Sequence, residues 1–200
     1  MYKLGLTGSI ATGKTTALGF FAQLGAAVFS ADEAVHAAYG AEARAPVEGL
    51  FPGVVRDGVV DRAELARRIV AHPRALADLE SIVHPLVRQR QRDFLRQAEA
   101  DGAGLAVIDV PLLFETGFDY GVDGVAVTWC PPDEQRRRAL ARPGMTVEKL
   151  DTILARQLPQ EEKRRRADFV IDTGVSLDET RAQVAAIVAQ CLDQQRSRKA

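Results

Sequence analysis

The run Gly8-Ser9-Ile10-Ala11-Thr12-Gly13-Lys14-Thr15 constrains this chain more than any other stretch. It satisfies the pattern G-x-x-x-x-G-K-[ST], in which main-chain amides converge on phosphate, the lysine reaches the outer phosphates and the hydroxyl ligates Mg²⁺. At average composition the pattern would arise by chance in about one or two per cent of chains this long. Its surroundings make accident rarer. Leu4-Gly5-Leu6-Thr7 reads as a buried strand before it, and Ala17, Leu18, Phe21 and Leu24 recur at helical spacing after it, up to a C-terminal signal at Gly25. The glycines at 8 and 13 supply backbone freedom, and a helix N-terminus adds positive potential at the same spot. The candidate nucleotide contacts are therefore Gly8, Ser9, Ile10, Ala11, Thr12, Gly13, Lys14, Thr15 and Thr16, with ATP or GTP as the nucleotide and Thr15 as a ligand to Mg²⁺.

Composition narrows the choice. Two hundred residues, 46% hydrophobic and 26% charged, suit one core domain with a small insertion. A net charge of -1 gives no bulk attraction to nucleic acid or membrane. No apolar run approaches a membrane span, and Met1-Tyr2-Lys3 leads directly into the motif, which argues against a signal peptide. Cys130 and Cys191 lie far apart with no C-x-x-C spacing, so a reducing cytoplasm is the expectation and neither zinc nor a disulfide framework is suggested. The chain has no asparagine, so it cannot carry the N-K-x-D base-reading motif of a regulatory GTPase.

Further along, Ala26 to Ser30 reads as a second strand ending at Ala31-Asp32. Ligands in open α/β sheets gather outside the carboxyl ends of strands, which would put Asp32 in the phosphate-loop crevice; a helix N-cap explains the same residue by local chemistry alone. Residues 40 to 60, punctuated by Gly40, Pro46, Pro52-Gly53 and Asp57-Gly58, read as loop. Asp61-Arg62-Ala63-Glu64 is a capping box. Pro73 opens a longer helical pattern that Pro85 is expected to kink or split, and His84 reads first as a structural histidine. This helical region, about 58–100, is a natural lobe for a second substrate. Leu105 to Asp109 is the clearest buried strand, and its terminal carboxylate suits the Mg²⁺ shell, with a turn cap as the plainer alternative. Strands at Val125 to Trp129 and Phe169 to Asp172 complete five. Strands alternating with helices indicate an α/β fold, a five-stranded parallel sheet with helices on both faces.

Between the last two strands, Pro132 to Ala167 is helical and holds Arg136, Arg137, Arg138, Arg142, Arg156, Arg164, Arg165 and Arg166. Most belong to a solvated face. Arg138 and Arg142, four apart, would share a helix face, and Pro143-Gly144 reads as a hinge. A lid at about 132–167 could carry such arginines to a triphosphate. The last helix, Leu177 to about Gln194, presents Val184, Ile187, Val188 and Cys191 at helical spacing, followed by a tail at Arg196 to Lys199 that reads as frayed.

Taken together, the chain resembles the dephospho-CoA kinase family. The matching stretches are Leu6-Thr7-Gly8 with the phosphate loop, Ala31-Asp32, Leu79 to Pro85 and Asp109-Val110-Pro111-Leu112-Leu113-Phe114-Glu115. Gln135-x-x-Arg138, Arg142, Gln157, and Lys163 to Asp172 complete the set. The resemblance implies one P-loop kinase domain over residues 1–200, with a CoA-binding lobe and a lid, that moves the ATP γ-phosphoryl group to the 3′-hydroxyl of dephospho-CoA. It implies Asp32, Lys14 and Arg142 as catalytic, Arg138 and Arg142 as nucleotide contacts, and Thr15 and Asp109 as metal ligands. His84, Arg88, Pro111, Leu112, Leu113, Phe114 and Glu115 join Asp32 as acceptor contacts. It further implies ATP and Mg²⁺ as cofactors, a monomer or small homo-oligomer, and no nucleic-acid or membrane partner. Three positions of the loop (Ser9, Ala11, Thr12) differ from the usual glycine or serine. Ser30 stands where aspartate is common, and Thr173 where asparagine is common. The readings left beside this one are a nucleoside or nucleoside-monophosphate kinase and, from another class, a nucleotide-dependent switch or assembly ATPase.

Overall fold

A computed structural model describes residues 1–71, 74–116 and 119–198. Pro73, expected to open a helix, lies outside the described residues, as does Lys199 of the tail. The chain divides into two compact units, one of Met1–Phe29 with the residues from Ala98 onward, the other of Ser30–Gln97.

The first unit is built on a five-stranded sheet of β1 (Tyr2–Gly8), β2 (Ala27–Ser30), β5 (Leu105–Asp109), β6 (Gly124–Trp129) and β7 (Phe169–Asp172). The spatial order is β2-β5-β1-β6-β7. β1 pairs in parallel with β5 and β6, and β6 pairs in parallel with β7. β5 is buried along its whole length, as its continuous apolar run requires of a central parallel strand. Helices α1 (Lys14–Gln23) and α9 (Leu177–Ser197) pack on this sheet. Ala17, Phe21, Val184, Ile187, Val188 and Cys191 meet Leu4, Leu6, Val107, Ala126 and Ile171 in one core. Their helical spacing is what marks them in the sequence.

Local chemistry sets the ends. α1 stops in a Schellman motif: Gly25 N–H donates to Ala22 O at 3.0 Å, Ala26 N–H to Phe21 O at 3.1 Å, and Gly25 takes φ 85°. α9 begins with a complete capping box between Ser176 and Glu179. The tail expected to fray is held instead. α9 runs to Ser197, and Arg198 pairs with Asp123 at 2.6 Å and lies over the Tyr2 ring.

The second unit holds α2 (Ala31–Gly40), α3 (Arg44–Leu50), the hairpin of β3 (Val55–Arg56) and β4 (Val59–Val60), α4 (Arg62–Ala71) and α5 (Ala75–Ala100), which runs on past Gln97. The loop expected over 40 to 60 is thus largely structured. Pro46 sits in the first turn of α3, where its missing N–H would have had no intrahelical acceptor. Asp57 (φ 49°) and Gly58 (φ 78°) form the two-residue hairpin turn. The capping box at Asp61 is half made. Asp61 accepts from the Ala63 and Glu64 amides, but Glu64 turns to Arg67 and Arg68, and the Asp61 amide donates to Val54 O. Pro85 does not split α5, which stays continuous for 26 residues.

Candidate active site

The phosphate-loop turn links β1 to α1. Gly8 has no room for a side chain: a Cβ would come within 2.1 Å of Thr128 Oγ1. Gly13 is the N-cap of α1, with φ 79°. Ala11 also adopts a left-handed backbone, with φ 61°. This corrects the expectation that Gly8 and Gly13 supply all the freedom, since one left-handed position is filled by an L-residue at a cost of about 1–2 kcal/mol. Gly8 is required for space.

α1 carries no side-chain cap and no acidic residue in its first turn. Its first N–H groups thus have no intrahelical acceptor and no carboxylate from the helix's own first turn, which suits this end to an anion. Lys14, the first helical residue, forms an ion pair with Asp109 at the end of β5. Thr15 and Thr16 are exposed beside it. Among the described residues no group of three or more His, Cys, Asp or Glu could hold a metal ion. A hydroxyl and one carboxylate suit a cation that keeps water and phosphate oxygens as its remaining ligands.

Threonines and glutamines brace the loop from behind. The Thr12 hydroxyl donates to Ser9 O at 2.8 Å and lies 2.8 Å from the Thr128 hydroxyl. Thr173 is buried, and its hydroxyl lies 2.9 Å from Thr12 O. Ile10 N–H donates to Gln157 Oε1 at 3.0 Å, and Ile10 O accepts from Gln135 Nε2 at 2.8 Å. Thr173 and the two glutamines were quoted above only as matching or differing positions. Gln135 sits in the charged run Asp133 to Arg138, where nothing in the sequence marks it as buried or names its partner.

The arginine-rich segment forms α6 (Pro132–Leu140), α7 (Val147–Ala155) and α8 (Gln160–Arg166). α6 ends before Arg142, because residues ahead of Pro143 are biased out of the helical region. Arg138 and Arg142 therefore do not share a helix face, contrary to expectation. Arg138 donates to Glu134 at 2.6 Å and to both Thr173 O and Thr173 Oγ1. Hydrogen bonds from Arg137 and then Arg138 hold the Glu134 carboxyl down to about 2. Arg136 and Arg137 pair with Asp151 and Glu134, and Arg164 to Arg166 with Glu161 and Glu162. Of the eight arginines, Arg142 and Arg156 alone have no side-chain partner among the described residues.

In the loop after β5, Leu113 is buried and packs where a Cβ on Gly5 would meet it at 2.8 Å, while Leu112 is exposed and Pro111 and Phe114 are half-buried. Pro111 O accepts from the Thr7 hydroxyl. Glu115 accepts from Leu158 N–H at 2.9 Å and lies 2.7 Å from Nζ of the fully buried Lys163.

In the second unit, Ser30 caps α2 by accepting from Glu33 N–H. Asp32 is therefore not the cap. It is exposed in the first helical turn, with no side-chain partner among the described residues. His84 and Arg88, one turn apart on α5, are both exposed, so His84 is not a packed core residue.

The dephospho-CoA kinase family profile matches residues 2–179. The chain belongs to the dephospho-CoA kinase family. The dephospho-CoA kinase of Rhizobium meliloti is 54% identical over 188 residues, covering 94% of this chain and 97% of that one. That of Brucella melitensis is 53% identical, covering 94% of each. Among solved structures, the Thermus thermophilus protein TT1252 aligns with a TM-score of 0.82 at 33% identity, over 94% of this chain and 97% of the other. The Campylobacter jejuni dephospho-CoA kinase aligns at 0.66 and 22% identity over 94% and 96%, a likeness of fold. Kinase chemistry on a P-loop fold is thereby the frame for every residue above.

Proposed function

We propose that this chain transfers the γ-phosphoryl group of ATP to the ribose 3′-hydroxyl of dephospho-CoA. The observation that carries the reading is the uncapped, acid-free N-terminus of α1, entered through a glycine turn, with Lys14 poised against Asp109. In this reading the amides from Gly13 to Thr16 hold the phosphates, and Lys14 exchanges its carboxylate partner for the outer phosphate oxygens. Mg²⁺, held by Thr15 and through Asp109, would neutralise charge on the phosphates. Of the two arginines without a side-chain partner among the described residues, Arg142 is the one at a position that matches the family pattern. It is assigned to stabilise the transferring group, while Arg138 braces Thr173 and the loop behind it.

An alcohol acceptor must lose a proton, and Asp32 is the carboxylate assigned to receive or orient it. It lies two residues beyond the carboxyl end of β2, and Ser30 frees it from capping. The exposed pair His84 and Arg88 suits an anionic acceptor, as does exposed Leu112 its apolar part. No helix among the described residues is long and apolar enough to cross a membrane, and both cysteines are free thiols. The compartment this reading assigns is the cytoplasm.

A panel of acceptors with ATP and Mg²⁺ tests the reading. Dephospho-CoA should be phosphorylated at least a hundredfold more efficiently than any nucleoside or nucleoside monophosphate. Turnover of nucleosides with dephospho-CoA inert, or hydrolysis indifferent to every acceptor, would overturn it.

A further inference from the structure

We propose that Gln157 and Gln135 are positioning residues that grip the Ile10 peptide of the phosphate loop and so set the affinity for the nucleotide. Each takes one side of the same residue: Gln157 Oε1 accepts the Ile10 N–H at 3.0 Å, and Gln135 Nε2 donates to Ile10 O at 2.8 Å. The carbonyl held by Gln135 belongs to the peptide that enters Ala11, the loop's left-handed L-residue at φ 61°. A strained backbone persists only where its surroundings over-determine it, and this pair of hydrogen bonds supplies that constraint. The Ile10 amide, taken by Gln157, is not a donor for phosphate. Ile10 is the handle by which the loop is held, which leaves phosphate holding to the uncapped amides at the start of α1.

The grip is itself fastened. Gln135 is buried, and its Oε1 accepts from Gln160 Nε2 at 2.7 Å, while Gln160 Oε1 accepts from Cys130 N–H at 3.3 Å. The residue after Gln157 is pinned too, since Leu158 N–H donates to Glu115 Oε1 at 2.9 Å. Glu115 Oε1 in turn lies 2.7 Å from Nζ of the fully buried Lys163, a buried ion pair. The short connection from Gln157 to Gln160, between α7 and α8, therefore holds the phosphate loop on one side and the loop after β5 on the other. Removing Lys163 or Glu115 would strand a buried charge and threaten the fold, so the glutamines are the positions to test.

The inference rests on the reading that the phosphate loop binds ATP. Its test is calorimetric titration of ATP and Mg²⁺, without acceptor, into the wild type, Gln157→Ala and the near-isosteric Gln135→Met, alongside thermal melting. Loss of one hydrogen bond to the loop should weaken ATP binding about tenfold in each variant. The melting temperature should fall by no more than a few degrees, and the acceptor KM should change less than twofold. A purely structural role would move stability and both substrates together. ATP affinity within twofold of wild type in both variants would overturn the inference and leave the functional reading standing. Wild-type protein that failed to bind ATP would overturn both.

Discussion

At the residue scale, two neighbouring left-handed positions carry opposite predictions. Gly13 sits at φ 79° with Thr173 close enough that an added Cβ would lie 3.1 Å from it. Gly13→Ala should lose about 1–2 kcal/mol from backbone strain alone, read as a lower urea midpoint. Ala11→Gly relieves a strained φ but loosens the unfolded chain, so its stability should stay within about 1 kcal/mol of the parent. If Gly13→Ala were neutral, the loop would not be held as described. The Lys14–Asp109 pair belongs to the same scale. The pair joins a motif lysine to a strand-end aspartate far apart in sequence, because β1 and β5 lie side by side in the sheet.

At the scale of elements, α9 against β1 brings a titratable group into the core. Burial first, and the charge of Asp123 second, push the Cys191 thiol up to about 12. Burial pushes the Tyr2 hydroxyl up as well. A folded-state value above the unfolded one contributes stability that is complete below the ordinary thiol range. It is lost as pH rises through about 9 toward 12. Stability should therefore decline on the alkaline side, and in Cys191→Ala that decline should be shallower even though the variant starts lower. A slope identical to the parent's would remove Cys191 from the account. Thiol-reactive reagents should likewise label Cys191 only as the chain unfolds.

The same scale explains what could be read in advance. The five strands, α1 and α9 were legible because a continuous apolar run or a 3.6-residue period is local information. The motif Gly8 to Thr15 was legible because backbone geometry and residue type are tightly linked there. Residues 44–50 were not, since Pro46 reads as a breaker unless its place in the first turn is known. The end of α6 before Arg142 was signalled by Pro143 and misread in favour of spacing. Sequence also could not separate free arginines from occupied ones. That division depends on which carboxylates come within reach, and Glu134, Asp151, Glu161 and Glu162 decide it. The roles of Gln135, Gln157 and Thr173 are long-range contacts, invisible to any local pattern.

For the molecule as a whole, the functional reading assigns phosphate holding to the sheet-based unit and hydroxyl activation to Asp32 in the other. It also predicts that ATP at a hundred times its dissociation constant should add about 2.7 kcal/mol of stability, with Lys14→Ala abolishing most of that gain. The division of labour has its sharpest test in Asp32→Asn, which keeps size and exposure and removes the base. Turnover of dephospho-CoA should fall by about two to four orders of magnitude, with the ATP dissociation constant within twofold of wild type. Near-wild-type turnover in this variant would contradict the account.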